Sequence, residues 1–231
     1  MELHQNQPHP VEYQIKGINQ GQVKTDIGFT FAKGLRSIVR QDPDVIMVGE
    51  IRDLETAEMA VHAALTGHIV LSTLHTNDAS GAIPRLIDMG VEPFLMTSSL
   101  ASVIGQRLAR KICDDCKVED QLSEEVLAEI KKDIANMPKI DRVKVQDKEL
   151  KFYKGKGCTT CDKSGYKGRI GVFEVLPMTE SIAELALKKV SGETITKKAI
   201  EEGMITMKQD GIIKAMEGKT TIEEVWRVTK E

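Results

Sequence analysis

Four cysteines fall in two short-spaced pairs, Cys113-Asp-Asp-Cys116 and Cys158-Thr-Thr-Cys161, and the chain has no others. Two such pairs make the four-sulfur set that Zn2+ prefers in a closed, tetrahedral structural site. Two redox-active dithiols, or four reduced and unliganded thiols, are the alternatives. A second constellation joins Glu50 and His75. Each stands just past the end of an apolar run, Val45–Val48 for the glutamate and Ile69–Leu74 for the histidine. A carboxylate at a strand tip can polarise water or order a magnesium ion beside a γ-phosphate, and a neighbouring histidine can sense that phosphate through a hydrogen bond. In the plainer alternative Glu50 only salt-bridges Arg52 or Arg40, and His75 is an ordinary strand-end polar residue.

The elements between these residues set their meeting. Asp42-Pro43-Asp44 cannot carry a helix through the proline. Val45 to Val48 is continuously apolar, the pattern of a strand buried on both faces. Leu54, Ala57, Val61, Ala64 and Leu65 recur three and four apart, predicting a helix over 54–66 that Gly67 closes. Strand, helix and strand in this order predict a parallel pair whose carboxyl ends share one edge, the edge where open α/β sheets bind ligands. Ahead of the unit, Thr30 to Arg40 predicts a helix with Phe31, Leu35, Ile38 and Val39 on one face. Arg36 and Arg40 project together from it, as phosphate clamps or as a solvated basic edge.

Composition bounds the function classes. The 231 residues suffice for one large or two small domains, and a net charge of −3 gives no pull toward nucleic acid or anionic lipid. Aromatic content of 4% leaves few platforms for stacking bases, so a zinc-ribbon nucleic-acid binder is disfavoured. No apolar run approaches the roughly 20 residues of a membrane span, and the amino terminus lacks the features of a signal peptide. The expectation is a cytoplasmic chain with no nucleic-acid partner and no direct membrane insertion.

The stretch Leu35–Ala79, LRSIVRQDPDVIMVGEIRDLETAEMAVHAALTGHIVLSTLHTNDA, resembles the Walker B and histidine-box region of the secretion-superfamily ATPases, the motors of type II secretion and type IV pilus assembly. By that resemblance Glu50 matches the Walker B glutamate and His75 the histidine of the histidine box. Arg36, Arg40 and Arg52 match arginines of the nucleotide site or the neighbouring subunit. Pro8-His9-Pro10-Val11-Glu12-Tyr13 is similar to the family's aspartate box, Glu-Asp-Pro-(Ile/Val)-Glu-Tyr. Glu12 and Tyr13 match, whereas Pro8-His9 replaces the Glu-Asp pair. The second cysteine pair followed by Gly168-Arg169-Ile170-Gly171-Val172-Phe173-Glu174 resembles the assembly branch, and pilus retraction motors lack this cysteine module. Arg169 matches an arginine that reaches toward the nucleotide; an ion pair with Glu174 is its plainer role. The resemblance implies a partial RecA-like P-loop NTPase core, ATP and Mg2+ in the intact parent, a homo-hexamer, and inner-membrane platform proteins as partners holding it peripherally at that membrane.

The expected division is 1–112 as partial ATPase core, 113–168 as tetracysteine zinc module, and 169–231 as a strand with a helical carboxyl-terminal subdomain. Residues 1–10 read as frayed. A helix over 83–89 is predicted behind Thr76-Asn77-Asp78, and a longer one over 93–111 whose basic end, Gln106 to Lys111, suits a helix carboxyl terminus. Helix 123–135, a hairpin over 142–153, a strand 168–176 and four short helices follow. No stretch reads as the glycine-rich loop ending in Gly-Lys-Ser/Thr that holds phosphates. The leading expectation is therefore part of an assembly ATPase, inactive by itself. The alternative is a non-catalytic, zinc-containing docking protein of the same machinery.

Overall fold

The computed structural model describes residues 2–4, 14–138 and 150–230. The chain is mixed α/β and divides into two compact units.

The first unit comprises 1–76, 81–101 and 178–192. Its sheet is wholly parallel, in the order β2-β1-β3-β4, with β1 Glu2–His4, β2 Gln20–Gln22, β3 Val45–Val48 and β4 Ile69–Ser72. Residues 2–4 pair with both β2 and β3, so this piece of the expected frayed terminus is a strand in the sheet. Helix α1 (Phe31–Val39) starts at Thr30, whose side chain accepts from the Lys33 amide. Helix α2 (Leu54–Leu65) starts at Asp53, capped likewise through the Thr56 amide. Both caps satisfy amides that a helix start leaves free. Gly67 adopts φ +98, and the Gly67 and His68 amides bond back to Ala64 and Ala63. That left-handed turn ends α2 and launches β4.

Phe31, Leu35 and Ile38 of α1 and Ala60 and Ala63 of α2 close over Ile46 and Val48 to form the core. Val45 and Met47 point the other way and are exposed, as are Ile69 and Leu71 of β4. The expected burial of β3 on both faces is thus corrected to one. Its apolar run is continuous, but among the described residues only one side of the sheet carries a packed layer. Helix α3 (Ala82–Asp88) begins at Gly81 without a side-chain cap, so Thr76–Asp78 does not cap it. Helix α4 (Pro93–Ser99) packs against α2 and against α6 (Glu180–Leu187).

The second unit comprises 77–80, 102–177 and 193–231. Its spine is an antiparallel ribbon of β5 (Ser102–Ile112) and β8 (Tyr166–Pro177). This corrects the helix expected over 93–111, which stops at Ser99 because Leu100 is already extended. Val103 and Ile104 are β-branched, Gly105 is a poor helix residue, and β8 offers a partner along the whole length. Between them β6 (Lys117–Asp120) pairs with β7 (Phe152–Gly155), and α5 (Glu124–Ala135) starts at the Ser123 cap. Most of the expected hairpin over 142–153 lies outside the described residues. Ile130 and Ile134 of α5 and Phe152 of β7 share a core with Ile212 and Ala215 of α8 (Met207–Met216) and Ile222 and Val225 of α9 (Ile222–Thr229). Trp226 packs on that core as an anchor, and α7 (Gly192–Glu201) buries Ile195 and Ala199.

Candidate functional site

Glu50 follows β3 and His75 follows β4, and the backbone keeps pairing past the ends of both strands. The Ile51 amide donates to the Thr73 carbonyl at 3.0 Å, and the Thr73 hydroxyl donates to the Gly49 carbonyl at 2.6 Å. These two bonds keep the segments that carry Glu50 and His75 side by side, with Glu50 Oε2 at 3.3 Å from His75 Nε2. Arg52 Nε donates to the same oxygen at 2.5 Å. The carboxylate side chain is 14% exposed and the imidazole 83%, so the acid is sheltered and the ring faces solvent. One carboxylate flanked by an imidazole and a guanidinium at a parallel-sheet edge can orient a water or a hydrated cation, and the ring can meet an anion beyond it. The Glu50–Arg52 pair of the plainer alternative is present alongside the imidazole contact.

Arg36 is exposed on α1 and lies 3.9 Å from Glu55 of α2. Arg40 is the exposed C-cap of α1. Arg169 is exposed on β8 opposite Arg110. Its expected partner Glu174 turns inward instead. Glu12 lies outside the described residues. The tripeptide Gly218-Lys219-Thr220 shares the end of a phosphate-loop motif, but residue 213 is isoleucine rather than glycine. Its groups are also engaged: the Lys219 amine pairs with Glu217, and the Thr220 hydroxyl donates to the Arg110 carbonyl at 2.8 Å.

The four cysteines converge as the spacing predicted. All four Sγ atoms lie within 4.8 Å of one another, and the 113–158, 116–161 and 158–161 separations are 3.8, 3.8 and 3.7 Å. Sulfurs on a tetrahedral metal at about 2.3 Å stand about 3.8 Å apart, whereas a disulfide needs about 2.05 Å. The donor set therefore fits a metal ion and not a pair of disulfides. Each pair wraps a short 3-10 turn, Asp114–Cys116 and Thr159–Cys161. The turns are tied together by the Cys113 amide on the Gly165 carbonyl and the Lys156 amide on the Cys116 carbonyl, both at 3.0 Å. The Cys158 and Gly165 amides donate to Cys161 Sγ at 3.2 and 3.3 Å. The Cys158 amide is the main reason the Cys161 thiol is drawn down to about 6, while burial pushes Cys116 up to about 12. A cation bound there would favour the thiolate form of its ligands.

Two carboxylates are buried where the sequence held no such expectation, Glu174 having entered only as a partner for Arg169. Glu174, 5% exposed, accepts from the Ala79 amide at 2.6 Å and the Met207 amide at 3.1 Å. Its signal was the alternation Val172, Glu174, Leu176, which puts all three on the buried side of β8. Glu224, 1% exposed, accepts from the Arg110 amide and guanidinium and from Arg227. Arg110 also stacks on Tyr166 at 4.1 Å. The Arg227 guanidinium, ahead of Arg110, holds the Glu224 carboxyl down at about 2. Its ordinary value is 4.5, so its stabilisation is complete above that pH and drains away as pH falls toward 2. Acid titration of thermal stability should show a loss of up to about 3 kcal/mol in this window, and Glu224→Gln should remove that part of the slope. An unchanged slope would contradict the assignment.

A family model described as "Type II/IV secretion system protein" matches residues 8–227. The chain belongs to this family. This type II/IV secretion system protein is 45% identical over 222 residues to type II secretion system protein E of Aeromonas hydrophila, covering 96% of this chain and 42% of that protein. It is 46% identical over 217 residues to the type IV pilus assembly ATPase PilB of Myxococcus xanthus, covering 94% of this chain and 37% of that one. It thus spans about two-fifths of the length of these curated relatives. Among solved structures, the pilus retraction motor PilT with bound ADP superposes with TM-score 0.62 at 26% identity, covering 99% of this chain and 52% of that chain. Among the described residues, no helix of this secretion system protein is long and apolar enough to cross a membrane.

Proposed function

We propose that this chain supplies the Glu50 and His75 portion of an ATP-hydrolysing motor for type II secretion or type IV pilus assembly. The observation that carries this reading is the 3.3 Å approach of Glu50 and His75 at one parallel-sheet edge. Their match to the Walker B glutamate and the histidine box supports it. Glu50 would orient the attacking water, with Arg52 holding its carboxylate, and His75 would meet the phosphate. Mg2+ would neutralise phosphate charge when ATP is bound. Arg36, Arg40, Arg169 and Glu12 are proposed as further nucleotide-site residues by their motif positions. The working assembly would be a cytoplasmic homo-hexamer seated on inner-membrane platform proteins. Cys113, Cys116, Cys158 and Cys161 would hold one structural Zn2+ with no open position.

The 231 residues contain no complete phosphate loop, so the isolated chain should release no phosphate from ATP above background. Exchanged for the matching 222 residues of the Aeromonas hydrophila relative, it should support hydrolysis. Glu50→Gln should then cost about 100-fold or more in kcat with little change in KM. An active chimera indifferent to that substitution would overturn the reading and favour the non-catalytic docking alternative.

A further inference from the structure

The connection between α8 and α9 is short, and a cap fixes the helix on each side of it. Gly218 adopts φ +68, and the Gly218 and Lys219 amides bond back to the Ala215 and Lys214 carbonyls, both at 2.9 Å. That left-handed turn closes α8. Thr221 opens α9 by accepting from the Glu224 amide. Such connections usually lie at the surface, yet Thr220 and Thr221 are 0% and 3% exposed. Their neighbours are the segments that carry the four cysteines. The Ile112 amide donates to the Lys219 carbonyl at 3.0 Å, and the Thr220 hydroxyl donates to the Arg110 carbonyl at 2.8 Å. The turn thus takes the place of a third strand beside β5, just ahead of Cys113. Lys117, the residue after Cys116, lays its amine over the Tyr153 ring at 4.5 Å. A Cβ on Gly218 would sit 2.5 Å from Lys117 Cε and 2.8 Å from Tyr153 Cδ2. Tyr166, the residue after Gly165, shares a hydroxyl–hydroxyl bond with Thr221 at 3.1 Å.

We propose that the turn 218–221 couples the four-cysteine cluster to α9: a metal ion on the cysteines steadies the start of α9, and the turn in return raises the metal affinity. This rests on the metal reading of the cluster given above. Every residue involved lies in the second unit. The turn touches the chain entering the first cysteine pair, the chain leaving it, β7 ahead of the second pair, and the chain leaving that pair. A metal ion holds those segments at fixed separations, so it also holds the surface to which the turn is bonded. Coupling of this kind is reciprocal, and whatever loosens the turn must weaken the metal. Ile222 and Val225 keep the core face of α9 packed in either state, so the first turn of the helix is the part that responds. The tripeptide Gly218-Lys219-Thr220 thereby gains a role unrelated to phosphate. Its glycine admits Lys117 and Tyr153, its lysine serves through the carbonyl, and its threonine supplies a hydroxyl that valine lacks.

The test measures metal affinity and amide exchange on the whole reduced chain, with Co2+ as the probe and Zn2+ as its competitor. The wild type should bind Co2+ with thiolate-to-metal absorption. Chelation should then speed exchange of the Glu224 and Val225 amides at least about 10-fold, while the Gly203 and Met204 amides that close α7 keep their rates. Gly218→Ala and Thr220→Val should each weaken Co2+ binding about 10-fold and erase the effect of metal on Glu224 and Val225. Gly203→Ala replaces another left-handed glycine, but its Cβ would meet nothing within 4 Å, so it should change neither readout. Should Thr220→Val fail to fold, Tyr166→Phe, which removes only the hydroxyl on Thr221, takes its place. Wild-type Co2+ affinity in the turn variants would overturn the proposal. Loss of protection in α7 together with α9 would overturn it as well, because the metal would then hold the whole unit rather than act through the turn. A wild type that binds neither Co2+ nor Zn2+ would sink the metal reading and the coupling with it. Binding with no effect on the α9 amides would leave the metal reading standing and remove the coupling alone.

Discussion

Purified under reducing conditions, the chain should carry one metal ion per molecule, and stripping that ion should melt the cysteine turns while leaving the parallel sheet folded. The four sulfurs lie within 4.8 Å of one another, three of their separations are 3.7–3.8 Å, and the two turns are tied by amide bonds that cross between them. Binding energies of structural zinc run to about 10–16 kcal/mol in small peptides, so the apo form loses its largest local stabilising contribution. Chelation should abolish exchange protection at the Cys113, Gly165 and Lys156 amides. The β3 and β4 amides belong to a separate core of Leu35, Ile46 and Val48 and should stay protected. Metal content below about half an equivalent on reduced protein would count against the site. Simultaneous loss of protection in β3 and β4 would contradict its independence from that core.

Gly155→Ala should be nearly as damaging without touching a ligand. A Cβ on Gly155 would lie 2.0 Å from the Gly165 carbonyl oxygen and 2.6 Å from its Cα, and a Cβ on Gly165 would lie 2.6 Å from the Gly155 carbonyl oxygen. Both obstacles are backbone, so no rotamer relieves them. Gly165 also holds φ +78, donates to Cys161 Sγ and accepts from the Cys113 amide. Parting the two segments therefore dismantles the cluster. A loss of about 3 kcal/mol or more is expected, with reduced metal content. Gly203→Ala is the control: its φ is +110 but its Cβ would meet nothing within 4 Å, so only the backbone cost of about 1 kcal/mol applies. Equal midpoints for the two variants in urea would refute the close-approach argument.

The part of the fold nearest the candidate site was legible because its signals are local. The apolar runs, the Asp53 cap and the Gly67 terminator lie within one another's reach in sequence, and together they force Glu50 and His75 onto one edge. The cysteine cluster was legible because four sulfurs at those spacings have few other uses. Strand β5 was not. Gln106, Arg107, Leu108 and Arg110 favour a helix by intrinsic propensity, and the partner that overrides them lies some 60 residues away in β8. The buried roles of Glu174 and Glu224 were not legible for a related reason. A glutamate in a strand or helix reads as surface until one asks which neighbours share its face, and only the fold brings the Ala79 amide or the Arg110 guanidinium to meet it.

The one-sided sheet has a practical corollary. Val45, Met47, Ile69 and Leu71 are neighbours across β3 and β4 and, among the described residues, remain exposed. Leaving such side chains wet forgoes on the order of 25 cal/mol for every Å2 that could be covered. Contact between copies through these side chains is the expected consequence at high concentration, and because apolar attraction weakens on cooling, turbidity of a concentrated solution should rise on warming.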